Sequence, residues 1–449
     1  MSKLFSRREF LRWATVASAA AVASACAPQA TPVPAPTAAA ADEPTAEPVA
    51  EVATVVWWNP DVLEWQPSYE AIANLCKENN PGIEIEIGNV PEEGFTEKIT
   101  SMLAGGTAPD VWAWFYATDV ARHGFLQELD AYVEAEGFNP AELWFPICNM
   151  RSTYQNKRYG TPRDGFWTAV LYNKDLFDEF GVAYPEGDWV LDDYIAKAKA
   201  LTSEEKGTWG TLAGGPGSLS FDVGFCWNMG FEIVSDDGRT VKGLLDSEES
   251  IWAIQWMIDL ITVHKVSPMA EVSQSLGDFP FGSGKVGMDV GSPWFLADMV
   301  ASTFKMDQVE PPGKPGHDRF GWGDSVQYYM WSGSKQKDAA WKLMVTASSV
   351  EGTKLAMINK DWTSPCPETW LAVGADKDPI LGKSWIEAQK PTKIPNYLRT
   401  EYEWDCVYPE FEGIWTRYIE NGEGPLETLV QEAADNAQKC LDERYAENP

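Results

Sequence analysis

The sequence predicts an α/β fold, with a largely parallel sheet covered by helices on both faces, from the order of elements between residues 52 and 114. Two observations carry this: the apolar spacing switches between strand and helix periods in the order β-α-β-α-β, and glycine or proline stands at the switches. Val52 to Trp58 is an apolar run that reads as a buried strand. Tyr69, Ile72, Leu75 and Cys76 then recur at helical spacing until Pro81-Gly82 stops the helix. Ile83 to Ile87 alternates apolar and acidic residues with period two, as a half-buried strand does. Phe95, Ile99, Met102 and Leu103 share one face of a second helix, which Gly105-Gly106 ends. Pro109 to Trp114 supplies a third strand. Ligands of such sheets sit beyond the carboxyl ends of the strands. Those ends carry Trp57, Trp58, Asn59 and Asp61 after the first strand, and Trp114, Phe115 and Tyr116 after the third.

The residues before this body read as an export and tethering region. Residues 1–26 combine a basic start, a short apolar run from Trp13 to Ala25 and small residues before Cys26, the make-up of a secretory segment too short to span a bilayer. Ser6-Arg7-Arg8-Glu9-Phe10-Leu11 resembles the twin-arginine signal of bacterial export. Ala23-Ser24-Ala25-Cys26 reads either as an ordinary signal-peptidase site or as a lipoprotein box in which Cys26 is acylated, and both cut at the same bond. Residues 27–51 are rich in Ala, Pro, Thr and Glu, with too little apolar surface to fold, and would form a tether reaching roughly 75 Å at about 3.1 Å per residue. The expected location is therefore outside the cytoplasm, periplasmic or anchored to the outer face of the membrane.

The body, residues 52–449, is long enough for two domains and carries no apolar segment of spanning length. The whole chain has 67 acidic against 35 basic residues, a formal charge of -32, which disfavours nucleic acid and anionic lipid as partners. Of 7 cysteines, setting Cys26 aside leaves Cys76, Cys148, Cys226, Cys366, Cys406 and Cys440. In an exported protein these can form disulfides whose pairing sequence does not decide, or can be buried as small hydrophobes.

Lys98-Ile-Thr-Ser-Met-Leu-Ala-Gly-Gly-Thr-Ala-Pro-Asp110-Val resembles the signature stretch of extracellular solute-binding proteins of the sugar-binding type, the receptors of ABC importers. Tyr159 to Pro162, Leu171 to Phe177, Asp192 to Thr202, Phe281 to Met288 and Ala339 to Met344 resemble further segments of that family in the same order. The resemblance implies a two-lobe periplasmic-binding-protein-like fold with a ligand cleft between lobes joined by hinge segments. It also implies a monomer that serves ABC permease subunits, uses no cofactor and catalyses no reaction. On that basis the first lobe is expected at 52–164 and 322–372, the second at 165–321 and 373–449, with crossings near Arg163-Asp164, Gly321 and Ala372.

Tryptophan points to the ligand class. The chain has 22, many beside Gly, Pro or Asp, and an indole face can cover the apolar face of a sugar ring while carboxylates and amides take its hydroxyls. The candidate platforms are Trp58, Trp114, Trp167, Trp227 and Trp294, each to be weighed against ordinary packing. Trp294 falls in the second-lobe segment where sugar-binding relatives often carry a stacking aromatic. Asn59, Asp61, Asp164, Tyr116 and Tyr328 are the polar candidates. Trp252 and Trp256, four apart in an apolar helix opened by Asp246-Ser247-Glu248-Glu249, read as core.

Other motifs lack the parts their chemistry needs. Gly282-Ser-Gly-Lys285 has no first glycine of a phosphate loop and has Val286 where a magnesium-binding hydroxyl belongs, so it reads as a turn into a strand. His123, His264 and His317 are isolated, and Asp236-Asp237-Gly238 lacks the ligand spacing of a calcium loop, so no metal is expected. A receptor fold binding a polyamine, glycerol phosphoester or peptide stays open as an alternative, as does an exported carbohydrate-active hydrolase with paired carboxylates.

Overall fold

The computed structural model describes residues 52–447 apart from 61–64, 92–93, 115–117, 168, 213–225, 278, 292–301, 380 and 394. Two sheets organise it. The first has the order β2-β1-β3-β13-β6, from Ala53–Pro60 (β1), Ile83–Val90 (β2), Val111–Trp114 (β3), Gly160–Pro162 (β6) and Gln327–Met330 (β13). The second has the order β11-β8-β10-β9, from Ala169–Asn173 (β8), Trp209–Thr211 (β9), Val286–Gly291 (β10) and Met306–Val309 (β11).

The five elements expected at the start of the body are present. β1 runs parallel to β2 and β3, with helices Gln66–Asn79 and Phe95–Gly105 between the strands. The second helix ends on Gly106 in the left-handed conformation (φ 68°), which frees its amide for the carbonyls of Leu103 and Met102. The sheet is mixed rather than largely parallel, because β13 enters antiparallel to both β3 and β6. Alternation divides the side chains between its faces. Val55, Trp57, Val111, Ala113, Tyr328 and Met330 pack toward Gln66–Asn79 and Lys337–Ala347, whereas Trp112 and Tyr329 pack against Phe95, Ile99 and Leu103. A separate core surrounds the second sheet, where Val170 and Met288 meet helices Glu248–Thr262, Tyr408–Trp415 and Leu426–Glu447. Ser247 caps the first of these by accepting the Ser250 N–H, as its position predicts.

The chain crosses between the sheets at a two-stranded ribbon, Phe166–Trp167 (β7) against Gly323–Asp324 (β12). Gly323 is required there, since a Cβ would lie 2.5 Å from the Phe166 carbonyl oxygen. Two buried ion pairs flank the ribbon. Arg163 Nη2 lies 2.6 Å from Asp164 Oδ2, and Arg151 Nε lies 3.1 Å from Asp324 Oδ1. Asp164 also accepts the Val326 N–H at 2.7 Å through Oδ1 and the Ser325 hydroxyl at 2.5 Å through its carbonyl. A third cluster, with Phe145, Cys148, Trp167, Cys366 and Trp370, packs around this junction.

Cysteine usage divides as the sequence left open. Cys406 and Cys440 form a disulfide, while Cys76, Cys148, Cys226 and Cys366 are buried thiols and not bridged. Trp256 is core as expected, but Trp252 is 39% exposed, because it lies outside the buried face of its helix, with the Lys314 ammonium 4.0 Å from its ring centroid. Pro280–Ser283 is a short 3-10 turn that leads through Gly284 into β10, and Gly238 (φ 71°) closes the turn after Asp236-Asp237.

Two outcomes are expected. Thiol titration of residues 52–449 in denaturant without reductant should find four thiols, and replacing Cys406 and Cys440 by serine should cost about 3–4 kcal/mol of unfolding free energy; six thiols would show that the bridge is not formed. Glu387, 1% exposed beside Lys390, has its carboxyl raised to about 7 by burial, partly opposed by that lysine. The folded state therefore holds this proton to higher pH than the unfolded chain, and the associated stability is full below about pH 4 and lost as pH rises through 7. Urea unfolding should show that Glu387→Gln removes on the order of 3 kcal/mol from the stability difference between pH 4 and pH 8; an unchanged difference would remove Glu387 as its source.

Candidate functional site

At the carboxyl end of the first sheet, the alternation of β1 sends neighbouring residues to opposite faces. Trp57 packs edge-on against Tyr69 and Tyr328 at ring distances of 5.3 and 5.6 Å. Asn59 follows on the same face with 0% exposure, and among the described residues neither its amide nitrogen nor its amide oxygen has a hydrogen-bond partner. A buried amide left this way costs about 1–3 kcal/mol, so a group that bonds it is strongly preferred there. Trp58 points to the other face, half-buried, with the Lys98 ammonium 4.9 Å from its ring. Trp114 at the end of β3 is also half-buried and stacks on Phe95 at 4.6 Å with an interplanar angle of 26°.

The partly buried rings of Trp58, Trp114, Tyr154 and Tyr159 belong to one cluster. Tyr154 is brought there by a hairpin, Thr153–Tyr154 (β4) against Lys157–Arg158 (β5), whose turn residues Gln155 and Asn156 have φ of 48° and 61°. From the core of the second sheet, Glu401 and Tyr402 approach the same rim. The Tyr154 hydroxyl donates to Glu401 Oε1 at 2.8 Å, and the Arg122 guanidinium stands 5.3 Å from the Tyr402 ring. Burial and the Glu401 carboxylate push the Tyr154 phenol well above its usual range, so it stays a donor. The result is an aromatic surface bordered by a carboxylate and a guanidinium. Such a surface can hold a molecule with an apolar face and a hydroxyl rim.

The other residues singled out in the sequence fall elsewhere. Asp164 is 3% exposed and engaged at the ribbon; burial raises its carboxyl pKa against the opposing pull of Arg163. Trp167 and Trp227 are each 2% exposed, the first packed against Phe145 and Trp370, the second in the core of the second sheet. Tyr328 is fully buried against Trp57. These four are set among packed neighbours rather than on the aromatic surface. Asp61, Tyr116, Trp294 and Cys26 lie outside the described residues. Arg122, Tyr154, Glu401 and Tyr402 are not singled out by sequence; the signal was the Gln155-Asn156 turn between two short strand-like pairs and the alternation of acid and aromatic in Glu401-Tyr-Glu-Trp404. Among the described residues, no group of three or more His, Cys, Asp or Glu could hold a metal ion, and no helix is long and apolar enough to cross a membrane.

Comparison with known proteins agrees with this architecture. A protein of Brucella abortus named only as a binding protein is 29% identical over 289 residues, 62% of this chain and 67% of its own length. The erythritol/L-threitol-binding protein of Mycolicibacterium smegmatis is 22% identical over 396 residues, 78% of this chain and 80% of that one. The structure of an ABC substrate-binding protein of Listeria monocytogenes in complex with cycloalternan superposes with a TM-score of 0.72 at 21% identity, covering 87% of this chain and all of that one. The fold is thus the two-lobe α/β fold with a hinged cleft. The family model for bacterial extracellular solute-binding proteins matches residues 64–354, more than half of the sequence, and the chain belongs to that family.

Proposed function

We propose that this protein is a non-catalytic receptor that captures a sugar or oligosaccharide in the cleft between its lobes and delivers it to the permease of an ABC transporter. The observation that carries the reading is the aromatic surface of Trp58, Trp114, Tyr154 and Tyr159, bordered by the Glu401 carboxylate and the Arg122 guanidinium. Rings supply the apolar platform, and the Glu401 carboxylate and Arg122 guanidinium supply an acceptor and a donor for hydroxyls. The ligands named for the relatives, erythritol or L-threitol and cycloalternan, are hydroxyl-rich and support the same class.

The lobes divide at 52–164 with 322–372 and at 165–321 with 373–449, so that closure about the β7–β12 ribbon brings Glu401 and Tyr402 toward the aromatic surface. Asp61, Tyr116 and Trp294 complete the site in this proposal, whereas Trp167, Trp227 and Tyr328 support it through packing and Asp164 through the ribbon. Ligand shifts the open–closed balance only by contacting both lobes in the closed form. The chain acts as a monomer outside the cytoplasm, held to the membrane by acylated Cys26 and the tether of residues 27–51, with the transporter supplying the energy of import.

Three measurements test this. Thermal shift of residues 52–449 should respond to a narrow set of related sugars or polyols, by roughly 2.7 kcal/mol at 100 times Kd, with the ligand recovered intact. A response confined to polyamines, peptides or glycerol phosphoesters would keep the receptor and overturn the sugar, and conversion of a glycoside would overturn the receptor. Against that ligand, Trp114→Ala should weaken binding at least about tenfold while costing less stability, about 1–2 kcal/mol, than removal of a fully buried ring, because Trp114 is only half-buried. Trp167→Ala should instead cost about 3–5 kcal/mol in urea unfolding, as removal of a fully packed ring does.

A further inference from the structure

We propose that Tyr154, Gln155 and Arg122 of the first lobe form a latch with Glu401 and Tyr402 of the second, and that this latch holds a fraction of the empty protein closed. The inference rests on the two-lobe reading above and concerns its regulation. Glu401 Oε1 accepts the Tyr154 hydroxyl at 2.8 Å and lies 3.4 Å from Gln155 Nε2, which also donates to the Tyr154 oxygen at 3.0 Å. Arg122 covers the Tyr402 ring at 5.3 Å.

What makes these contacts a latch is the stiffness behind each half. The hairpin tip is fixed by two successive left-handed residues, Gln155 and Asn156, which set one turn geometry and resist sliding. Its base is tied down by the Arg158 carbonyl accepting the Leu129 N–H at 2.8 Å, by Asp130 Oδ2 accepting the Arg158 N–H at 2.9 Å, and by the buried Arg158 side chain donating to Asn149 Oδ1 at 3.0 Å. On the other side Tyr402 is 2% exposed, packs edge-on against Tyr445 at 4.9 Å, and gives its carbonyl to the Cys406 N–H at 2.8 Å. The Cys406–Cys440 disulfide ties that turn to the C-terminal helix. With both halves rigid, the contacts part only when the lobes part.

Their strength suits a bias rather than a lock. Half-exposed polar pairs and one cation–π contact shift an equilibrium about 3–10-fold. Because ligand binds tightest to the closed form, a larger closed fraction raises apparent affinity by the same factor.

The test needs no ligand. Spin labels at Glu134→Cys and Asp192→Cys, exposed positions of the first and second lobes, report the interlobe distance in residues 52–449, whose four unbridged native thiols stay buried. Tyr154→Phe, which keeps the ring and removes only the hydroxyl, and Glu401→Ala should each reduce the closed population about 3–10-fold. The double variant should go little further than either single one, because both remove the same bond. Identical distance distributions in the parent and the variants, or single effects that simply add, would overturn the latch. Absence of any sugar binding would overturn the assigned ligand and leave these distances as they are, so the two failures are distinguishable.

Discussion

Asp164 is the knot on which the two-lobe arrangement depends. A carboxylate with 3% exposure is tolerable only if fully engaged, and each of its oxygens is: Oδ2 takes the Arg163 guanidinium, Oδ1 the Val326 amide, and its carbonyl the Ser325 hydroxyl. These bonds join the strand that leaves the first sheet to the one that returns. Arg151 and Asp324 repeat the device on the returning strand. Arg163 itself rests against the edge-to-face pair Trp65 and Trp362, with ring centroids 5.1 and 5.4 Å from its guanidinium carbon. Charge pairing in a site this dry is strong enough to fix register but expensive to break, so rotation of one lobe on the other has to be absorbed outside the knot.

The opening of the fold was legible because its information is local. Each of the first five elements has its own period and its own stop signal, and the left-handed Gly106 stands where the pattern demands. The mixed character of the sheet was not legible, since β13 comes from a distant part of the chain and Gln327 to Met330 carries no mark of its direction. Tryptophan shows the same limit. Trp114 and Trp167 both end short strands, yet one is only half-buried and the other is enclosed by Phe145 and Trp370, brought from either side in sequence. Trp252 illustrates the cost of reading spacing alone: it stands four residues from buried Trp256, but the helix turns it past the edge of the apolar face.

The candidate site was half legible for a related reason. Trp58, Asn59 and Trp114 are found by the general rule that ligands sit beyond strand ends, which needs only the strands. Arg122, Tyr154, Glu401 and Tyr402 gain meaning through a meeting of segments far apart in sequence, and a tyrosine on a tight turn has no signature of its own. The acidic balance of the whole chain adds little here, because the charges that matter are single groups at the rim.

The division of the cysteines also constrains the order of events in the life of the chain. Burial raises the thiols of Cys76 and Cys148 above their ordinary range and that of Cys366 to about 12, so in the folded protein they present almost no thiolate, the form that attacks a disulfide. These three and Cys226 precede the Cys406–Cys440 pair in sequence, and in an unfolded chain nothing distinguishes them from it. An oxidant that meets the polypeptide before it folds would find the earlier cysteines first and trap them in foreign pairings. Any such pairing has to be undone by thiol exchange before these four can be buried, so the direct route to the bridge is folding first, which leaves Cys406 and Cys440 side by side and the other thiols out of reach.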